Sequence, residues 1–509
     1  MEIRFIIVMV GILLLPTKGI TQDPLSAEYL HSLKYKHDLN LPKWGPYTKK
    51  YIGLSHVPDV KKGIRFDVSI FPGYYHGKTV APNVFYETGF HPWEASPNLE
   101  YFSFRHELEW KDKVYTDISY SEIDSSSRAF HIECVNNSEL GQSMVMHLMS
   151  SIHFPSSAAY QPDDPIVYDI IDLPEDGKWI DALEYSAFNY AKPSPFERLV
   201  TDGYFRGEIR SNGYVKGSGI RFGENMGDEV IYDFEVSDEL TDPVLCIRYN
   251  SGKSGNAKIK LAGIVDVSTT LDASQDFTMK VVPHLHLRKG KNRLEIISED
   301  GEVINIDGFA IVSQSDFGVI KIAPVDWIYT PEIIAGPMEN TIILKYPQVE
   351  TYYGIFWDYP HFQNREWYFK DLSDEFSRMA NGHVKTVFSN GTDGHYFNVF
   401  MRPINLQPHA TRSIYGMVCT GSLGEVKTLL KDVAISGLKK AEQSARSKLT
   451  DYHITPAGEK YLFGQKRMAA TTITNIVYPV YTQNQYIRHH APGRWWDCLY
   501  TWDAGFIGI

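Results

Sequence analysis

The amino-acid sequence predicts a mostly β protein: a large antiparallel β-sandwich that carries an inserted β-sandwich module and is followed by helices near the carboxyl end. Three observations support this prediction. Short segments that alternate between polar and apolar residues, separated by Gly, Pro, Asn and Ser, fill most of the chain. The pattern of residues along the sequence changes around Trp179 and again after Val312. After Gly424 the apolar residues recur at steps of three and four, which is the spacing of an amphipathic helix.

The large sandwich is expected in two parts, residues 22–178 and residues 313–422. Period-two alternation is the pattern of strands with one face in a core. Segments with strand-like character in the two parts are residues 64–71, 114–120, 129–135, 144–149, 318–322, 353–358, 397–404 and 414–419. The two parts therefore predict one domain whose chain is interrupted.

The interruption is a second β-rich block over residues 179–312. Its strand-like segments are residues 227–236, 245–249, 257–261, 290–297 and 306–311. Whole domains are tolerated as insertions at exposed loops because the two ends of a domain often lie close together. We therefore expect a β-sandwich module inserted into the larger one.

A helical linker is predicted over residues 423–456, with one or two amphipathic helices. Thr455 and Pro456 then mark a helix start, and residues 462–480 are expected to form the first strong helix of another domain, which begins at 457 and runs to 509.

The amino end has the features of a secretory signal peptide over residues 1–21. Arg4 precedes an apolar run over residues 5–15, which is shorter than the roughly 20 residues that span a bilayer, and cleavage is expected near residues 19–22. A buried N-terminal strand is the alternative. No later segment is apolar enough to span a membrane, so we expect a secreted or periplasmic protein without a stable membrane anchor.

Composition excludes several function classes. A net charge of -12 with scattered acids is unfavourable for nucleic acid as a partner. The sequence contains neither a phosphate-binding glycine loop nor a GxSxG nucleophile elbow. The four cysteines are far apart, and buried thiols are expected rather than a metal site or a dense disulfide framework, with one long-range disulfide as the alternative.

The order of strand segments in residues 179–312 resembles the carbohydrate-binding modules of families 6 and 35. That resemblance implies a structural calcium, held by acids of the first strand and an Asp of the last strand. Asp307 matches the last-strand position, but Leu183 stands where the first strand would carry a second acid. Because calcium needs six to eight oxygen ligands, no cofactor is expected, with the calcium as a lesser possibility. Asp307 capping a turn is the alternative.

The segment 494–506, which reads RWWDCLYTWDAGF, resembles the Trp-Asp-x-Gly-Phe element near the start of the (α/α)6 barrel of glycoside hydrolase family 63 and its trehalase-like relatives. In that family the Asp of the element is the general acid, and Asp503 matches it. A carboxyl between Trp502 and Phe506 is partly desolvated, which raises its pKa toward the value that a general acid needs. The alternative is that Asp503 caps a helix and the Trp residues belong to a core.

Other residues of this segment are expected to bind substrate. Asp497 would bind sugar hydroxyls, Arg494 would pair with an acid or hold a hydroxyl, and Trp496 and Trp502 offer flat aromatic faces. The base of an (α/α)6 enzyme comes from a later helix, so none can be named within residues 1–509. The chain is accordingly expected to be a fragment, truncated at the start of the barrel and without turnover.

The function expected from the resemblance is an exported, inverting glycoside hydrolase. It would act on an oligosaccharide or polysaccharide, with an α-glucoside-like linkage by analogy with the family. Two alternatives stay open: a glycan-binding protein without catalysis, and another (α/α)6 enzyme such as a phosphorylase.

Overall fold

The computed structural model describes most of the chain between residues 42 and 475. The described ranges are residues 42–48, 52–58, 63–74, 90–109, 111–155, 167–192, 208–215, 217–237, 240–252, 254–370, 372, 386–389, 394–451 and 455–475.

The first part of the chain contributes strands β1 to β8. They are β1 (Trp44–Gly45), β2 (Gly53–His56), β3 (Arg65–Tyr74), β4 (Phe90–Ala95), β5 (Tyr101–Glu109), β6 (Val114–Glu122), β7 (Ser127–Asn136) and β8 (Gln142–His153).

The middle of the chain contributes β9 to β20. They are β9 (Asp169–Asp172), β10 (Lys178–Asp181), β11 (Ala187–Asn189), β12 (Glu208–Arg210), β13 (Ser218–Phe222), β14 (Glu229–Val236), β15 (Pro243–Asn250), β16 (Ala257–Gly263), β17 (Val267–Leu271), β18 (Thr278–Val282), β19 (Gly290–Ser298) and β20 (Ile304–Ser313). A short 3-10 helix follows at Gln314–Val319.

The last part contributes further strands and three helices. The strands are β21 (Lys321–Pro324), β22 (Glu332–Ala335), β23 (Thr341–Lys345), β24 (Tyr352–Trp357), β25 (His361–Tyr368), β26 (Val387–Ser389), β27 (Tyr396–Met401), β28 (Ile404–Leu406) and β29 (Ala410–Gly421). The helices are α1 (Leu423–Asp432), α2 (Ile435–Arg446) and α3 (Leu462–Thr474), the last preceded by a 3-10 turn at Glu459–Tyr461.

Two eight-stranded sheets form the large sandwich. One has the order β1-β2-β3-β8-β27-β25-β26, with β28 also paired to β8; the other has the order β22-β23-β24-β29-β7-β6-β5-β4. Strands from before and after the inserted block are neighbours in both sheets, since β8 pairs with β27 and β7 pairs with β29. Their facing side chains share one core, in which Phe66 of β3 stacks on Tyr353 of β24 with ring centroids 3.8 Å apart.

The inserted module has two sheets and a core of its own. One sheet has the order β12-β13-β20-β15-β18, with β10 also paired to β20, and the other has the order β11-β14-β19-β16-β17. Period-two alternation is visible in β14, where Val230, Tyr232, Phe234 and Val236 are buried and the residues between them are not. Entry to and exit from the module run side by side, because β9 and β21 pair as a two-stranded antiparallel ribbon.

The first two helices pack on one sheet of the large sandwich, α1 on β24 and β29, and α2 on β29, β7 and β6. α1 begins with a capping box, in which Glu425 Oε2 accepts a hydrogen bond from the Ser422 N–H at 2.8 Å. Its buried Val426 lies so close to Gly354 that a Cβ at 354 would come within 2.6 Å of Val426 Cγ1. On α2, Glu442 Oε1 contacts His131 Nδ1 at 3.0 Å, which ties the helix to β7.

The predicted fold class, mostly β with antiparallel sheets and a few helices toward the carboxyl end, is confirmed. The expected linker consists of two helices. The described cysteines, Cys134, Cys246 and Cys419, are buried free thiols. Among the described residues, no helix combines the length and apolarity needed to cross a membrane. The predicted signal peptide over residues 1–21 lies outside the described residues, and the (α/α)6 barrel stays a prediction.

Candidate functional site

The outward face of the six-stranded sheet of the module is apolar at one end and polar at the other. On β15, Leu245 and Ile247 point into the core, whereas Val244 and Cys246 point outward and pack in a small cluster with Leu173. Toward the other end of β15 the outward residues are Arg248 and Asn250 instead. The apolar half of this face is covered, and the polar half forms the candidate site.

Four side chains line up across neighbouring strands at this polar end, and we call them the polar row: Arg221, Asn305, Asn250 and Phe277. Arg221 of β13 is paired with Asn305 of β20, and Asn305 is paired with Asn250 of β15. Phe277 directly precedes β18, whose first residue, Thr278, is paired with the neighbour of Asn250. The row therefore crosses the sheet from one strand to the next.

The polar row presents both hydrogen-bonding and apolar groups. Asn305 Nδ2 donates to Asn250 Oδ1 at 2.8 Å. Arg221 has a side chain that is 55% exposed, and its Nε donates to Glu224 at 3.1 Å. Phe277 and the two asparagines are half-buried. The pair of amides is thus fixed in orientation while part of its surface stays accessible.

Two glycines allow aromatic rings to lie directly on the sheet beside this row. The ring of Tyr214 covers Gly219, where a Cβ would come within 2.3 Å of Tyr214 Cε1. The indole of Trp179 covers Gly308 in the same way, at 2.4 Å from Cζ2. Tyr214 and Phe277 meet edge to face, with ring centroids 4.6 Å apart.

Beneath Phe277 lies the guanidinium of Arg248, 4.5 Å from the ring centroid. Its Nη1 donates to Asp307 Oδ2 and, at 2.9 Å, to the carbonyl oxygen of Gly213. Its Nη2 donates to Asp169 Oδ2 at 2.5 Å. Arg248 therefore joins a carboxylate of the module, Asp307, to a carboxylate of β9 in the ribbon, Asp169.

Asp307, which the sequence offered as a doubtful calcium ligand, is fully buried, and both of its oxygens have partners. Oδ2 accepts from Arg248, and Oδ1 accepts from the Val215 N–H at 2.8 Å. Burial raises the pKa of the Asp307 carboxyl above its usual range, and the nearby guanidinium opposes that increase.

The residues around Asp307 do not fit a calcium ion. Calcium requires six to eight oxygen ligands, whereas a guanidinium is in contact with Asp307, the carboxylate that matched the last-strand position of the pattern. Asp181, in the first strand, accepts a hydrogen bond from the Leu183 N–H at 3.0 Å. Within the described part of the chain, no three His, Cys, Asp or Glu side chains are placed to hold a metal together.

The other residues predicted to be functional lie outside the described residues. They are the proposed general acid Asp503 and the proposed substrate-binding residues Arg494, Trp496, Asp497 and Trp502.

Sequence reasoning missed Arg248 and the polar row. A signal was present in β15, because an arginine interrupts the otherwise apolar segment Leu245 to Tyr249. Such an arginine must either reach solvent or find a buried counterion. Which acid it would meet could not be read from the spacing, since Asp169 and Asp307 lie far from it along the chain.

Comparison with known proteins gives distant similarities only. No protein-family model matches the chain, and no curated protein matches it. Among solved structures, the family 35 carbohydrate-binding module of Abf62 from Cellvibrio japonicus is 13% identical and covers 31% of this chain and 98% of that chain, with a TM-score of 0.19. The C-terminal family 6 module of LamC from Zobellia galactanivorans is 15% identical, covering 27% of this chain and 99% of that chain at a TM-score of 0.19.

A longer match is the exo-β-1,3-galactanase of Phanerochaete chrysosporium, which is 10% identical and covers 52% of this chain and 66% of that chain at a TM-score of 0.21. The solved structures that resemble the chain thus include carbohydrate-binding modules and a glycoside hydrolase. Their TM-scores are too low to establish a common fold or a common function. The expected relation to glycoside hydrolase family 63 stays a prediction.

Proposed function

We propose that the inserted module binds a neutral oligosaccharide or polysaccharide at the polar row. The observation that carries this proposal is the hydrogen-bonded pair of Asn250 and Asn305 beside the half-buried ring of Phe277. An aromatic face packs against the apolar face of a sugar ring, and side-chain amides bond the hydroxyls around it.

The hydrogen-bonding capacity of the row matches a hydroxyl-rich ligand. Sugar hydroxyls both donate and accept, and the pair leaves Asn305 Oδ1 as an acceptor and Asn250 Nδ2 as a donor without partners among the described residues. Arg221 adds further donors at the exposed end of the row. The overall charge of -12 makes a polyanionic ligand unfavourable.

Affinity electrophoresis of the whole chain in gels containing xylan, laminarin or arabinogalactan tests this proposal. We expect retardation by at least one of these polysaccharides. Asn305→Ala and Phe277→Ala should each weaken binding by about tenfold, because each removes contacts of roughly 1–1.5 kcal/mol.

Matched control variants lie outside the row. Asn189→Ala removes an exposed asparagine of β11 that bonds Glu229, and Phe317→Ala removes a phenylalanine that is 36% exposed in the 3-10 helix. Both should bind as the unmodified protein does. Equal losses in the control variants and the row variants, or no retardation by any of the three polysaccharides, would contradict the proposal.

We also propose that the protein is an exported glycoside hydrolase with an inverting mechanism and Asp503 as the general acid. The observation that favours this second function is the segment 494–506, where Trp502 and Phe506 flank Asp503 in the sequence. Inversion requires a carboxylic acid to protonate the leaving oxygen while a second carboxylate activates water. An α-glucoside-like linkage is the substrate that the resemblance favours.

Reducing-sugar release from α-linked glucans by the protein as its gene encodes it tests the hydrolase proposal. Asp503→Asn should abolish release, whereas Asp497→Asn, as a loss of substrate contacts, should act mainly on KM. Formation of a sugar 1-phosphate that requires inorganic phosphate, with no gain in reducing ends, would identify a phosphorylase instead. Full activity of Asp503→Asn would exclude the assigned acid.

A further inference from the structure

The ribbon that joins the module to the large sandwich is fastened to the polar end of the module by backbone contacts. The Asp169 N–H donates to the Tyr214 carbonyl at 2.8 Å, and the Gly213 N–H donates to the Val167 carbonyl at 2.9 Å. Asp169 and Val215 also form an isolated parallel bridge. The chain entering the module is therefore held against the loop around residues 213–215.

Two carboxylates lie close together at this junction, and both are largely shielded from solvent. The side chain of Asp307 is 0% exposed and that of Asp169 is 15% exposed, while Arg248 between them is 6% exposed. Two carboxylates brought this close in a poorly solvated place repel each other unless a cation lies between them.

Arg248 supplies this cation and donates hydrogen bonds to both carboxylates. One guanidinium nitrogen donates to Asp307 and to the Gly213 carbonyl, and the other donates to Asp169. A planar guanidinium carries a positive charge and can bond several oxygens at once. The Phe277 ring covers it on one side, 4.5 Å away.

We infer that Arg248 is an internal cation that fastens the inserted module to the ribbon. It takes the place where a divalent metal would otherwise be needed, and this junction is therefore independent of metal ions.

Calorimetry of the whole chain provides the first test. The melting temperature of the unmodified protein should be the same, within about 1 °C, in EDTA and in millimolar calcium. Arg248→Met leaves two poorly solvated carboxylates without a cation and should lower the melting transition by on the order of 5–10 °C. Arg221→Met, an exposed arginine in the same sheet, should change it by less than about 1 °C.

A triple variant distinguishes the contribution of the Arg248 charge to stability from the contribution of its packing. Arg248→Met combined with Asp169→Asn and Asp307→Asn removes the cation together with both carboxylates, and should recover at least half of the lost melting temperature. This variant also keeps the inference testable if Arg248→Met alone does not fold. A triple variant as unstable as Arg248→Met would show that Arg248 acts through packing, and a loss of stability in EDTA would show that a metal is required; either result would overturn the inference.

Amide hydrogen exchange shows where in the structure the loss of the Arg248 hydrogen bonds acts. Amides of Asp169 and Val215, which donate to Tyr214 and Asp307, should exchange at least tenfold faster in Arg248→Lys than in the unmodified protein. Lysine keeps the charge but cannot bond both carboxylates in the same geometry. Unchanged exchange at both amides would count against the fastening role.

Discussion

Lowering the pH from about 7.5 to about 5 is expected to reduce the free energy of unfolding of the large sandwich by about 6 kcal/mol, because His56, His106 and His147 are buried in the neutral form. Burial lowers the pKa of each of the three imidazoles from 6.5 to about 3. Lys43 and Arg128 reinforce the shift at His56, and His91 reinforces it at His106.

The direction and the size of this change in the free energy of unfolding follow from proton linkage. Below about pH 6.5 the unfolded chain binds a proton at each of these histidines, whereas the folded protein does not until the pH falls to about 3. Stability contributed by the three neutral imidazoles is therefore present above pH 6.5 and is lost as the pH decreases from 6.5 toward 3. At pH 5 each site lies about 1.5 pH units below its unfolded pKa, which corresponds to about 2 kcal/mol per histidine.

Urea unfolding at a series of pH values measures this dependence. His106→Gln should retain about two thirds of it, since one of the three sites is removed, whereas His286→Gln, at an exposed position of the module, should retain all of it. If His106→Gln unfolds with the pH dependence of the unmodified protein, His106 is not the group responsible.

Phe66→Ala is expected to destabilise the large sandwich by about 4 kcal/mol, since truncating a buried phenylalanine costs roughly 3–5 kcal/mol. The side chain of Phe66 is 0% exposed and joins the two sheets, stacking on Tyr353 at 3.8 Å and approaching Tyr346 at 6.0 Å. The cavity left by the ring would face two other large aromatic residues that cannot move to fill it.

Denaturant midpoints of Phe66→Ala and Phe317→Ala provide the comparison. The second variant removes the same atoms from a ring that is 36% exposed, and should change the free energy of unfolding by about 0.5 kcal/mol or less. Losses of similar size in the two variants would show that the contact of Phe66 with Tyr353 does not hold the sheets together.

The sequence was sufficient to predict the fold class, which is mostly β with antiparallel sheets and a few helices toward the carboxyl end. In β14 the alternation of Val230, Tyr232 and Phe234 with polar residues is a property of the strand itself, since successive side chains point to opposite faces. The capping residues Ser422 and Glu425 likewise mark the start of α1 locally.

For the candidate site, the sequence drew attention to Asp307 but not to its partners. Asp307, Arg248 and Asp169 come from β20, β15 and β9, and only the pairing of those strands brings them together. The polar row has the same origin, because Asn250 and Asn305 are neighbours only through the register between β15 and β20. Hydrophobic periodicity determines which way a side chain points, but not which strand lies beside it.

Local patterns in the sequence thus determined strands and helices, since each depends on residues a few positions apart. The general acid Asp503, read from a similarly local motif, stays a prediction. The tertiary structure alone decided that β8 pairs with β27 and β7 with β29 across the inserted module. It also decided that Arg248 lies between two carboxylates at the junction of module and ribbon. The physical reason is the same in each case: pairing between strands distant in sequence depends on how whole sheets pack, which no local spacing of residues encodes.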